Sequence, residues 1–247
     1  MSTILKSTKC EFGKLLLKKK YIVLTVLCAL LSLVYFGVTA LVAKVSGGSV
    51  VIKANVVMSM LRLVTDILIP LMVFMAITDL FSSEAQEDVM KASLMRPITR
   101  FKVMTSKSLA AFCMAAASSL AVFAVCLVFQ FILGGGAGRV GVTLASYLVD
   151  LIPVAGLVAM ALIINVLCKS PTLSMLLCIG IYIFFKYLNI YVSHFGQMIF
   201  TAYSQWHKIW IGAPLPVGAM LSKVGILAGW VLILYILSYI IFDGKDY

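Results

Sequence analysis

A chain of 247 residues that is 63% hydrophobic and 12% charged, with a mean hydropathy of +1.11, is excluded from the soluble globular proteins. A soluble fold is nearer half apolar and a quarter charged, whereas lipid accepts apolar side chains without cost. The formal net charge of +11 does not point to nucleic acid, because the cations flank apolar runs and so follow the positive-inside rule.

The expected fold is all-α and polytopic. A single transmembrane domain covers residues 1–247, with six membrane-spanning helices, an N-terminal amphipathic surface helix and short outer interfacial helices. Residues 2–20 interleave Lys6, Lys9, Lys14, Lys18, Lys19 and Lys20 with Ile4, Leu5, Phe12, Leu15, Leu16 and Leu17. Helical spacing puts a cationic stripe beside an apolar one, the pattern of a helix lying on the inner membrane surface. The first span is expected over about 21–43. Its apolar run exceeds the length of a signal-peptide core and lacks a small-residue cleavage site, so it reads as a retained span.

The second span, about 57–81, is weaker because it contains Arg62, Asp66, Pro70 and Asp79. A polar stretch over 82–107 follows. The third span, about 108–133, is small-sided, with Ala110, Ala111, Ala115, Ala116, Ala117, Ser118 and Ser119. Gly134, Gly135, Gly136 and Gly138 form an outer turn. The fourth span, about 144–168, contains Pro153 and leads through Cys168, Lys169, Ser170 and Pro171 into the fifth, about 172–192. An aromatic, less apolar outer stretch covers 193–216. The sixth span, about 218–242, carries Gly225 and Gly229 as G-x-x-x-G, a close-contact signal between helices. Thirteen of the twenty Lys and Arg fall on the N-terminal side of this scheme, which places both termini inside.

A charge inside a span costs roughly 2.5–3.5 kcal/mol at the helix centre, so each one needs a reason. Arg62 and Asp66 stand four residues apart and can pair. Asp150 and Lys186 are expected at similar depth and form a candidate intramembrane ion pair. Such a pair can line a translocation path or serve structure alone, and Lys186 can also snorkel outward. His194 and His207, with no carboxylate or thiol between them, do not make a zinc pattern, and the six cysteines read as small buried hydrophobes. The chain has no G-x-S-x-G, no H-E-x-x-H and no phosphate-binding G-x-x-x-x-G-K-[ST]. It is not expected to be an enzyme, and no catalytic, cofactor or metal residue is assigned.

The most informative stretch is the loop over 82–107. Glu84, Glu87 and Asp88 suit the first turn of a short helix capped by Ser82 or Ser83, and Lys91 stands four residues after Glu87. Pro97 ends that helix at Arg96, and a second helix restarts near Thr99. Acid at one end and base at the other suits docking on a charged partner.

Glu84, then Pro97, Arg100 and Lys107, with Leu94 and Arg96 between, resemble the pattern of ABC-2-type permeases. The six-span plan, the surface helix and the polar outer stretch are similar to the same family. Where that family usually has a Gly-Thr-like pair, this chain has Asp88 and Val89. The resemblance implies a permease subunit of an ATP-driven ABC exporter in the inner membrane of a prokaryote. It implies a cytoplasmic coupling helix, with Glu84, Glu87, Asp88, Lys91, Arg96 and Arg100 docking on a separate ATPase subunit that binds ATP and Mg. It also implies a second copy of the chain, or a related permease, beside it in the bilayer. The apolar lining suits a hydrophobic or amphipathic cargo such as a peptide, lipid or drug. The alternative class is a non-transporting membrane protein, either an immunity factor or a sensor-associated one.

Overall fold

The computed structural model of the chain describes residues 2–45, 56–90, 98–132, 140–168, 170–191, 201, 205–210 and 217–245. Among the described residues the regular elements are helical and no strand occurs. The chain opens with α1 (Ser2–Leu17), bends at Lys18 and continues as α2 (Lys19–Val45). The second apolar segment is one rod of five pieces: α3 (Val56–Leu63), a wide turn Val64–Leu68, α4 (Ile69–Thr78), a second wide turn Asp79–Ser83, and α5 (Glu84–Gln86). Then come α6 (Arg100–Ile132), α7 (Val140–Val149), α8 (Val154–Leu167), α9 (Pro171–Tyr191), α10 (His207–Trp210) and α11 (Val217–Asp243).

Five stretches are long and apolar enough to cross a membrane: Met60–Gln86, Arg100–Phe131, Val140–Leu167, Pro171–Leu188 and Leu221–Asp243. α2 has 27 residues, about 40 Å at 1.5 Å per residue, and exposes Ile22, Val26, Leu30, Val34 and Leu41. An all-helical bundle with this many apolar rods is a multi-pass membrane protein, because in lipid a helix satisfies its own backbone.

Composition makes the second span the weakest, yet it is the central one. α4 packs against α6, α8 and α9, and Met72, Val73, Phe74, Ala76 and Ile77 are fully buried. Two-thirds of its apolar window is covered by protein, against 11% for the last span. Asp66 and Asp79 therefore face protein, while Arg62 is exposed. The small side of α6 serves this packing: Ala110, Ala111 and Ala115 are fully buried, and α4 lies against them.

Two spans are irregular at their prolines. The second span is not a plain α-helix. The N–H of Ile69 reaches back five residues to the carbonyl of Val64. Pro70 gives the reason: it has no N–H, and its ring crowds the carbonyl four residues earlier, so a wider turn takes up the strain just before it. The fourth span is not continuous either. Residues 150–153 leave the α-helix, and N–H groups from Leu151, Ile152, Val154, Ala155 and Gly156 bond three residues back. Pro153 again supplies the cause. Gly225 and Gly229 also depart from expectation within the chain, since a Cβ at either would meet nothing within 4 Å.

Candidate functional site

The first cluster is built at the α1 end of the bundle. On α1, Ser7, Glu11, Lys14 and Lys18 fall at i, i+4, i+7 and i+11, one face of a helix. That face meets α6 and the end of the second span. Lys14 Nζ lies 3.0 Å from Glu11 and 3.5 Å from Glu84. Lys107, from α6, is fully buried and lies 2.5 Å from Glu84 and 3.8 Å from Glu11. Ser7 donates to Ser106 across the same contact, at 3.2 Å. One turn outward along the rod, Asp79 accepts from Lys20 at 2.6 Å and from the Tyr21 hydroxyl at 2.8 Å, and Lys18 Nζ lies 3.1 Å away. Burial pushes the Lys14 ammonium down, but Glu11 and Glu84 outweigh it and hold the group above its ordinary value. The result is a charged staple that joins α1 to the adjoining ends of the second and third spans. Buried carboxylates and lysines at this depth are tolerable only because each is matched.

The staple relocates several residues expected to dock on a partner. Glu84 is buried and paired with Lys107, so its carboxylate faces into the protein. Ser83 makes no side-chain cap, and the rod runs through it without a break as far as Gln86. Ser82, the other expected cap, is buried and donates to Asn165 of α8 at 2.8 Å. Arg100 is also occupied: its guanidinium donates to the carbonyls of Asp243 at 2.7 Å and Lys245 at 2.9 Å, at the C-terminus of α11. A cation is favoured there because the last carbonyls of a helix lack partners. Glu87 and Asp88 remain exposed, on the turn after Gln86. Asp88 has φ 56°, the left-handed region, at the position where the resembling pattern carries glycine. Lys91 and Arg96 lie outside the described residues.

The second cluster lies in the other half of the bundle. The expected partner of Asp150 was Lys186, and the structure pairs both differently. Lys186 Nζ lies 3.1 Å from Asp66, and Arg62 Nε lies 3.8 Å from the same carboxylate. Tyr182 donates to the Asp66 carbonyl at 3.1 Å. Asp150 instead takes His207: one oxygen accepts the backbone N–H at 2.6 Å, and the other lies 2.7 Å from Nδ1. Both side chains are buried, as is Trp206 beside them. The reason is the helix break. Leaving the α-helix at Asp150 points its carboxylate at α10, which packs on α7, while the wide turn at Val64–Leu68 carries Asp66 toward α9. Thr65, Asp150, Pro153, Leu157, Tyr182 and Thr201 line a small cavity between these irregular segments. Sequence reasoning placed His207 at a membrane interface; a histidine next to a tryptophan is the only local hint of its burial.

These features define a multi-pass membrane protein with a charged cluster gathered at the α1 end of the bundle. The model of the family described as ABC-2 family transporter protein matches residues 8–189, and the chain belongs to that family. Its members are membrane transport components that work with an ATPase partner. No curated protein matches the chain.

Proposed function

We propose that this chain is the permease subunit of an ATP-driven ABC exporter, with α2 as a sixth crossing and both termini inside. The observation that carries the reading is the charged staple. It holds α1, the end of the second span and the start of α6 together around a loop of which Glu87 and Asp88 are exposed. A force on that loop moves three helices as one body, which a topology-fixing loop does not need. The ATPase, with its ATP and Mg, is a separate subunit that docks on the stretch from Glu87 to the start of α6. Two permease chains make one pathway, and the exposed apolar faces of α2, α9 and α11 leave ample surface for a second copy and for lipid. The cargo is hydrophobic or amphipathic, in keeping with spans that carry few charges. The membrane is the inner membrane of a prokaryote. The test is ATP-dependent efflux from cells or vesicles holding the chain and its ATPase. Reversing Glu87 to Lys should lower ATPase stimulation without lowering the melting temperature. Unchanged stimulation with Glu87→Lys and Asp88→Lys together would count against docking here.

A further inference from the structure

At the bend between α1 and α2 a groove of about 250 Å³ opens against the inner end of the second span. Lys14, Lys18, Leu80, Ser83, Glu87 and Val89 are among its walls. Its charge is divided. At the bend, two lysines, Lys18 and Lys20, stand against the single carboxylate of Asp79, an excess of one positive charge. In the middle, Lys14 and Lys107 are matched by Glu11 and Glu84. At the far end, Glu87 is exposed and makes no ion pair among the described residues. The groove therefore offers cationic donors at one end, a free carboxylate at the other, and the Ser83 hydroxyl beside that carboxylate.

We propose that this groove binds the headgroup of an aminophospholipid, with its phosphate against Lys18 and its neighbours and its primary ammonium on Glu87 and Ser83. The inference rests on the reading that α1 lies at the inner membrane surface. Three features favour a lipid over a basic side chain of a partner protein. A basic side chain would leave the lysine excess unmatched, whereas a zwitterion meets both ends. Leu16 and Leu17, 43% and 85% exposed, flank the bend together with exposed Ile22 and Val23 on α2, an apolar surface for acyl chains. The bend is also where the chain passes from surface helix to membrane rod, the level at which headgroups sit. A primary ammonium donates hydrogen bonds to a carboxylate and a hydroxyl, and a choline headgroup has no donor to offer. Occupancy would tie α1 to the exposed turn at Glu87, so the lipid becomes part of the staple.

The experiment is native mass spectrometry of the full chain, purified from vesicles of equimolar phosphatidylethanolamine, phosphatidylcholine and phosphatidylglycerol. The expected result is retention of phosphatidylethanolamine over phosphatidylcholine by about tenfold, the worth of one charge-assisted hydrogen bond. Glu87→Gln, an exposed change that leaves the fold intact, should erase that preference. Lys18→Gln should lower retention of both lipids. Equal retention of the two lipids, or a preference untouched by Glu87→Gln, overturns the proposal. So does displacement by soluble glycerophosphoethanolamine at matching concentration, which would place the ligand in solution. Retention is read on the permease alone, so its failure leaves the exporter reading standing, and failure of ATPase docking leaves the lipid result standing.

Discussion

Truncating Lys107 to Met should be the most damaging single change in the charged staple. The ammonium is fully buried, 2.5 Å from Glu84 and 3.8 Å from Glu11. At an effective dielectric of about 20, these two distances give gross attractions of roughly 7 and 4 kcal/mol, most of which desolvation offsets. The loss on truncation comes from the other side: two carboxylates are left at low exposure with only half-exposed Lys14 to answer them. Removing one partner of a buried pair typically costs about 3–5 kcal/mol, and Lys14 holds the expectation near 3. Glu84→Gln alone should cost less, because Lys107 keeps Glu11. The double change Glu84→Gln with Lys107→Met should be milder than the two losses added, with a coupling of about 1–3 kcal/mol. Equilibrium unfolding of the purified chain in mixed micelles measures all four forms of the cycle. A Lys107→Met cost below about 1 kcal/mol, or strict additivity, would refute the idea of a matched buried staple.

Other outcomes follow from the same geometry. Asp88→Val should cost about 1–2 kcal/mol, because a β-branched residue resists φ 56°, while Asp88→Gly should cost little; both remove the carboxylate, so their difference in unfolding free energy isolates the backbone. Arg100→Gln should free the carbonyls of Asp243 and Lys245 and speed amide exchange at the C-terminal end of α11, read by hydrogen exchange. Asp150→Leu should cost about 2–5 kcal/mol by stranding two buried donors of His207, whereas Asp150→Asn, which keeps an acceptor, should cost less in the same melts. Lys14 is held above the ordinary lysine value of 10.5, so its share of the docking of α1 is complete below that pH and is lost as pH rises through the raised value; hydrogen exchange in α1 against pH reads this.

The gross plan was legible because apolar runs of span length need no partner to be recognised. The second span shows the limit. Its charges make it look like the weakest crossing, yet two-thirds of its apolar window is covered by protein, and a hydropathy window does not see which neighbours will cover a helix. Pro70 and Pro153 were visible as irregularities, but whether a proline makes a wide turn or an outright break depends on packing around it. The pairings were the least legible. Asp150 and His207 are separated by 57 positions, Lys14 and Glu84 by 70, and Arg100 reaches the far C-terminus. Equal depth across a membrane suggested Asp150 with Lys186, yet depth alone does not fix which face of a helix a residue takes. The helix break turned Asp150 away from α9, and the wide turn brought Asp66 to Lys186 in its place. At the loop, acid and base form a pattern in the sequence, but its two ends, Glu84 and Arg100, hold the bundle together. The exposed chemistry shrinks to Glu87 and Asp88 among the described residues.

The central claim, a permease driven through its inner loop, is tested most directly by detergent pull-down of the full chain, mass spectrometry of its partners and an ATPase assay of what is recovered. The account predicts an ABC ATPase subunit whose hydrolysis is stimulated by the wild-type chain and uncoupled by reversal of Glu87 and Asp88. Recovery of the chain with no ATPase, or stimulation indifferent to that reversal, would contradict it.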